Sequence, residues 1–396
     1  MLYFCINNLK FLKVEQNIKR LKYLLSLFNM TIDELLMLIN EGLKTPITKE
    51  EILSENIKIS HLKRIDKIFN KGLHFYLDPQ SPEISKDASI FFRKSKFDAD
   101  LNIGAKKIVN QFEEFKISLS AISKLADIHT DRILPIFKSS DNPKKTAFGI
   151  REILYPIFQN NQRDFLKSLI SKFAEKNILV FEFIETWNKK EKANIDGFFL
   201  NPNVIVLKRQ QSSFRREIFT LAHELGHYLL NIEEVDNLDL ADLANHNLSK
   251  IEKWCNDFAF YFIAGEYGNV IDNLEKASDL NDYNFGTVEK ISQKTHLSQI
   301  AIFTRLLLNN QITPKDYKKV KAEFDEQFRL KQLEDQQQKE LDKQNGVQRK
   351  GAVPKPINSP LLISTIQTAF YEGVINEYDL CKTLNIPPDK LDKFIQ

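Results

Sequence analysis

Glycine is unusually scarce in this chain, with 12 glycines among 396 residues. Glycine is the residue that most readily adopts the positive φ angles of tight turns. A share of about 3% is less than half the usual frequency, which disfavours β-sandwiches and propellers with many turns. The sequence therefore favours long helices joined by few tight turns.

The overall composition excludes several other classes of protein. Hydrophobic residues make up 42% of the chain and charged residues 28%, which is typical of neither a disordered polymer nor a membrane protein. The net charge of +3 does not demand a nucleic-acid or membrane partner.

The cysteines and the apolar segments bear on where the protein is located. Cys5, Cys255 and Cys381 are widely scattered and lack metal-binding spacing, which favours a reducing compartment. With no stretch of 18 apolar residues and no complete signal sequence, we expect a cytoplasmic protein without a membrane partner.

Hydrophobic periodicity divides the chain into four regions. We expect a helical region at 1–140, either a plain helical support domain, as we favour, or a degenerate helix-turn-helix, and an α+β core at 141–320. A polar helix or spacer follows at 321–350, and a linker with a small helical unit occupies 351–396. The fold class predicted from these patterns is α+β, predominantly helical, with helical regions on both sides of the core.

A change of period marks the centre of the core region. The β-branched and aromatic segments Ile178 to Ile184 and Val204 to Leu207 predict two strands of a small sheet. A helix is predicted directly afterwards, from about Ser213 to Leu230. The strand at Val204 is interpreted as an edge on which an extended substrate can add a strand.

The predicted helix carries an H-E-x-x-H motif, formed by His223, Glu224 and His227. Residues at i and i+4 share one helix face, so the two imidazoles can bind one Zn²⁺ ion. Glu224 lies beside them as the general base that activates a zinc-bound water. The alternative is an ordinary amphipathic helix whose histidines pack or cap. Against it, Gly226 costs a helix interior about 1 kcal/mol unless close packing requires it.

A catalytic zinc needs a third protein ligand. Glu252 is favoured because it lies on a helix with a clean apolar face, on which Asn256, four residues later, can hydrogen-bond a ligating group. Ser249 and Glu252 also form an S-x-x-E pattern, so a capping box is the competing interpretation. Glu233 and His246 remain the other main candidates. An H-E-x-x-H-x-x-G-x-x-H site is excluded because the required glycine and histidine are absent.

The segments around these residues resemble the ImmA/IrrE family of zinc metallopeptidases. The likeness rests on FTLAHELGH from Phe219 to His227 and on ExxCNxFA from Glu252 to Ala259, in which Cys255 replaces the usual alanine. DASIFFRK, at 87–94, and Gly197 with the residues after it are also similar to family segments. The resemblance extends over roughly residues 80 to 310.

The resemblance implies a zincin-like core with an active-site helix. It implies that His223, His227 and Glu252 bind Zn²⁺ and that Glu224 is the catalytic base. The implied activity is endoproteolysis of a protein partner, a helix-turn-helix transcriptional repressor, in stress response or in the induction of a mobile element.

Two further interpretations stay open. The chain can instead be a non-catalytic regulator, either DNA-binding or of the antitoxin or antirepressor type, with a structural metal. The helical N-terminal region of the chain is the basis for this alternative. Residues 288–308 predict two helices meeting near His296, either a helix-turn-helix or, as we favour, packing against the peptidase core.

Overall fold

The structure is a computed structural model with two compact units along the chain. Unit 1 comprises Met1–Phe115 with Glu191–Asn194, and unit 2 comprises Lys116–Lys190 with Ile195–Gln396. The model is mostly helical with two small sheets, which confirms the α+β prediction. The described residues are 13–82, 101–185, 192–209, 213–236, 248–346 and 355–395.

Among these residues, no single helix is both long and apolar enough to cross a membrane. One pair of short helices, Ile18–Leu27 and Ile32–Asn40, bent by 96° relative to each other, passes that test of length and composition when taken together.

Unit 1 is built from short helices around an aliphatic core. Leu21, Leu24, Leu35, Leu62 and Ile65 are fully buried in it. Its elements are β1 (Lys13–Glu15), α1 (Ile18–Leu27), α2 (Ile32–Asn40), α3 (Lys49–Ile52), β2 (Asn56–Lys58), α4 (Ile59–Phe69), α5 (Leu73–Leu77) and the first half of α6 (Ile103–Leu125).

Local sequence explains where helix α2 begins. Thr31 caps it by accepting the Glu34 N–H, and the Glu34 carboxylate accepts the Thr31 N–H in return. This reciprocal capping box satisfies two amide groups that the first helical turn leaves unpaired.

Unit 2 contains a four-stranded sheet covered by helices. Its order is β3-β5-β4-β6, with β3 parallel to β5 and the other two pairings antiparallel. The strands are β3 (Leu179–Phe183), β4 (Gly197–Leu200), β5 (Val204–Lys208) and β6 (Val235–Asp236).

The topology corrects one prediction about substrate binding. Strand β5, which contains Val204 to Leu207, lies inside the sheet and hydrogen-bonds to β3 on one side and β4 on the other. It therefore has no free edge to offer an extended peptide. The prediction was wrong because hydrophobic alternation shows that a segment is a strand but not which strands flank it.

The helices of unit 2 enclose one large apolar core that includes the inner face of the sheet. Four of them carry or flank the centre described below: α7 (Pro143–Leu154), α8 (Gln162–Ala174), α9 (Phe214–Leu230) and α10 (Lys250–Ala264). The others are α11 (Tyr267–Asp272), α12 (Phe285–Lys294), α13 (Gln299–Leu308), α14 (Pro314–Gln344), α15 (Pro360–Tyr371), α16 (Glu377–Leu384) and α17 (Asp392–Ile395).

Helices α12 and α13 settle the choice offered by residues 288–308. His296 lies in their connection, is 2% exposed, stacks on the ring of Phe158 and contacts the ring of Phe165 at a tilt of 40°. A histidine enclosed by aromatic rings is a packing residue, so the interpretation as core packing is confirmed.

Candidate metal centre

Helix α9 follows the sheet and carries the H-E-x-x-H motif into the core. Ser213 caps its start by accepting the Arg216 N–H, and Asn231, in the left-handed region with a φ of 56°, ends it. His223, Glu224 and His227 are at most 2% exposed. Ionisable side chains are seldom fully buried without a partner, so three of them on one buried face require an electrostatic explanation.

Helix α10 packs directly on α9 and brings Glu252 to the same place. Ser249 accepts the Glu252 N–H at 3.1 Å, so the serine caps the helix as its S-x-x-E pattern predicts. The carboxylate of Glu252 faces the two histidines of α9 instead of returning to the Ser249 N–H. Glu252 was a candidate for a helix cap or for a ligand. Its backbone N–H takes part in the cap at the start of α10, while its side chain reaches the two histidines.

The three side chains converge through one atom each. Nε2 of His223 lies 3.1 Å from Nε2 of His227, and these atoms lie 3.2 and 3.1 Å from Oε2 and Oε1 of Glu252, respectively. The ligand atoms of these residues all lie within 4.8 Å of one another, and this is the cluster among the described residues that could hold a metal ion.

The spacing and chemistry of the cluster fit a tetrahedral ion such as zinc. Ligands about 2.0–2.2 Å from a tetrahedral centre are roughly 3.3–3.6 Å apart, slightly more than the separations seen here. Two neutral imidazoles and one carboxylate are also the donor types that zinc takes in catalytic sites. In addition, Oε2 of the neighbouring Glu224 is buried without a hydrogen-bond partner in the described structure.

Asn256 orients the first histidine. Its Oδ1 lies 2.9 Å from Nδ1 of His223. An amide oxygen only accepts, so Nδ1 carries the proton and a neutral His223 presents the lone pair of Nε2 to the cluster. Since Asn256 follows Glu252 by four residues, both side chains project from one face of α10.

Two glycines allow the elements around the centre to approach closely. A Cβ on Gly226 would lie 3.1 Å from Cα, Cβ and Sγ of Cys255, so the contact between α9 and α10 depends on a missing side chain. A Cβ on Gly197 would lie 2.8 Å from the methyl of Thr220 and 3.2 Å from Cγ of Glu224. Strand β4 therefore passes directly beside Glu224.

Burial controls the charge on Glu224. The pKa of this carboxyl is raised to about 8, mainly by burial; His227 opposes this shift, and the nearby charges of Glu252 and Glu234 add to it. In the metal-free protein, the proton is therefore held on Glu224 at neutral pH. A group so close to its transition between forms is suited to accept and return a proton.

The charges of Glu252 and the histidines depend on one another. Burial by itself would raise the pKa of Glu252, but His223 and His227 outweigh it and hold that pKa well below its usual value. Burial lowers the pKa of His223. For His227, burial acts in the same direction but is outweighed by Cys255 and Glu252, which raise its pKa. In the metal-free protein, the carboxylate of Glu252 is therefore ionised, and His227 takes up a proton more readily than His223.

Of the other main ligand candidates, Glu233 is not part of this cluster. The carboxylate of Glu233 accepts the backbone N–H of Asn201 at 2.8 Å. His246 and the segment at 87–94 lie outside the described residues. Sequence reasoning gave no role to Cys255, although its position three residues after Glu252 places it on the same face of α10.

Comparison with known proteins agrees with this geometry. Residues 174–264 match the family model described as Peptidase_M78, the IrrE N-terminal-like domain. This segment is an IrrE N-terminal-like domain. It runs from the end of α8 to the end of α10 and includes every member of the cluster, which confirms the resemblance to the ImmA/IrrE family. No curated protein and no solved structure matched the chain.

The match to the IrrE N-terminal-like domain supports a peptidase-type family and a protein substrate, and His223, His227 and Glu252 form a cluster that could hold a metal ion. Residues 1–173, which include nearly all of α8, and residues 265–396 lie outside the matched segment.

Proposed function

We propose that this protein is a zinc-dependent endopeptidase with a zincin-like core, and that it cleaves a helix-turn-helix transcriptional repressor. The observation that supports it most is the convergence of His223, His227 and Glu252 beside the buried Glu224, within the domain that matches a peptidase family. The choice of a repressor as substrate, and a role in stress response or in a mobile element, rest on the resemblance to the ImmA/IrrE family.

Each side chain has one part in the proposed reaction. His223 and His227, presented one turn apart on α9, and Glu252, presented from α10, hold the ion. A bound zinc ion supplies a Lewis acid, which polarises a carbonyl, lowers the pKa of water and lowers the pKa of a nearby carboxyl. Glu224 takes a proton from the attacking water and returns it to the leaving amine. Asn256 keeps the His223 ring in the required orientation.

The alternative, a regulator that binds DNA without catalysis, gains no support from the bent helix pair α1 and α2. Helices α1 and α2 meet at 96°, but the second of them, IDELLMLIN, contains no lysine or arginine. Its first turn carries Asp33 and Glu34, which would repel phosphate. We therefore favour the peptidase.

The proposal is tested by a cleavage assay on purified helix-turn-helix repressors, beginning with any that a neighbouring gene encodes. We expect the zinc-loaded protein to produce two defined fragments, and a chelator to stop the reaction. Glu224→Gln removes the proton acceptor, so cleavage should fall by at least about 100-fold while zinc stays bound. Cleavage by Glu224→Gln at the wild-type rate would exclude the proposed base.

Glu233→Gln provides the matched control in the same assay. Its amide oxygen can still accept the Asn201 N–H, so neither folding nor cleavage should change. Loss of activity in both variants would show that the assay responds to any change of a glutamate near α9.

A further inference from the structure

Helix α10 presents three polar side chains toward the two histidines of α9. They occupy positions i, i+3 and i+4 and are Glu252, Cys255 and Asn256, which therefore lie on one helix face. Glu252 faces both Nε2 atoms, and Asn256 accepts from Nδ1 of His223. Two of the three thus already have a defined contact with an imidazole.

The second imidazole has no equivalent oxygen partner. Nδ1 of His227 is buried and lacks a hydrogen-bond partner of standard geometry within the described ranges. His227 is 1% exposed, so bulk solvent does not reach this ring. Because its Nε2 faces His223 and Glu252, Nδ1 is the ring nitrogen left for a neighbour on another side.

The neighbour against this ring is the thiol of Cys255. Cys255 is fully buried, and its Sγ packs against Gly226, the residue directly before His227. A hydrogen bond between the two side chains is also among the causes that raise the pKa of His227. The thiol is not one of the convergent donors, which are the two histidines and Glu252. The absence of a side chain on Gly226, which precedes His227, lets α10 come close enough to place this sulfur there, 3.1 Å from where a Cβ would be.

We propose that Cys255 is a positioning residue for His227: its sulfur accepts the Nδ1–H and keeps the lone pair of Nε2 directed at the metal. It would do for the second histidine what Asn256 does for the first. This inference rests on the proposed function, in which His227 is a ligand. Sulfur is a weak acceptor, so its contribution is smaller than that of an amide oxygen.

Metal affinity measures this role directly. The full-length metal-free protein is titrated with Zn²⁺ in competition with a chromophoric chelator. Partners that orient a ligand typically contribute 10–100-fold to affinity, and a weak acceptor should lie below that range. We therefore expect Cys255→Ala to weaken zinc binding by roughly threefold to tenfold. Cys255→Ser, which keeps an acceptor at the same position, should recover at least half of that loss on a logarithmic scale.

Cys381→Ala is the matched control, because Cys381 is also a buried free cysteine but lies on α16, away from the cluster in sequence. Both alanine variants remove a buried sulfur, so thermal unfolding of the metal-free proteins should change by similar amounts. Zinc affinity should fall for Cys255→Ala and stay unchanged for Cys381→Ala.

Each result has a definite meaning. Unchanged zinc affinity in Cys255→Ala overturns the positioning role, because Cys255 would then contribute nothing to metal binding. An equal loss of affinity in Cys255→Ser and Cys255→Ala also overturns it, because the contribution would then come from packing of the sulfur and not from a hydrogen-bond acceptor. In both cases, tight binding by the wild-type protein leaves the proposed function intact. No zinc binding by the wild-type protein would instead overturn the proposed function and this inference with it.

Discussion

At the scale of single residues, the centre is understood through the hydrogen bonds that fix each imidazole. The sequence predicts His223, Glu224 and His227 from the spacing of the H-E-x-x-H motif alone. The two histidines, at positions i and i+4, lie on the same face of any helix, and Glu224 lies next to the first of them. Glu252 is harder to predict, since its distance from the motif in sequence says nothing about how two helices pack. It could be named because the segment after Ser249 has an apolar face that must be buried.

We expect Asn256→Ala to weaken zinc binding by about tenfold, because it removes the acceptor that fixes the His223 ring. Asn256→Asp keeps an acceptor oxygen and should remain close to wild type. Competition with a chromophoric chelator measures both. As a control, Asn269→Ala removes an exposed asparagine from the neighbouring α11. Equal affinities for Asn256→Ala and the wild type would show that the ring needs no external orientation.

At the scale of elements, the contact between α9 and α10 creates the centre. Helix α9 was predicted to within a residue at each end because caps and apolar spacing are local signals. Strand β4 was not predicted from periodicity, since four buried residues from Gly197 to Leu200 have no alternation to detect. The interior position of β5 was likewise beyond the sequence, because strand order depends on contacts between distant segments.

Two helical glycines give a matched test of the α9–α10 contact. An added methyl at Gly226 meets the backbone of Cys255 at 3.1 Å, whereas at Gly149 on α7 nothing lies within 4 Å. Gly149→Ala should raise the free energy of unfolding by up to about 1 kcal/mol, the difference in helix propensity. Gly226→Ala should lower it by about 1 kcal/mol, because strain exceeds that gain. Urea unfolding measures both.

Stabilisation by Gly226→Ala equal to that by Gly149→Ala would contradict the close approach of the two helices. It would also remove the reason for a glycine inside the motif.

A second element-scale test concerns strand β3 and the segment before α15. Burial raises the pKa of Glu182 on β3 to about 7, and the N–H of Ile357, which it accepts, opposes this shift. For a carboxyl with a raised folded-state pKa, the charged form is the destabilising one. Stability therefore falls as pH rises from about 4.5 to about 7.

We expect Glu182→Gln to weaken that pH dependence, because glutamine resembles the protonated carboxyl and cannot ionise. The difference between variant and wild type should change by about 1–3 kcal/mol between pH 5 and pH 8. Urea unfolding at both pH values measures it, with the exposed Glu326→Gln on α14 as control. Parallel pH profiles for Glu182→Gln and the wild type would show that Glu182 does not titrate between those values.

At the scale of the whole molecule, the candidate metal centre lies entirely within unit 2 and within the IrrE N-terminal-like domain. The scarcity of glycine predicted a mostly helical molecule, and the structure agrees. Sequence patterns could not predict that residues 191–194 group with unit 1, because that grouping depends on contacts between distant parts of the chain. The proposed activity of the molecule depends on one property, the binding of a single metal ion between α9 and α10.

Zinc content tests that property most directly. The full-length protein is loaded with Zn²⁺ and dialysed, and the number of zinc ions per chain is then measured by elemental mass spectrometry. We predict one zinc ion per chain in the wild type and in His129→Ala, which changes an exposed histidine, and substantial loss of zinc in His227→Ala and Glu252→Gln. Stoichiometric zinc in all four proteins, or none in the wild type, would contradict the assignment of the centre.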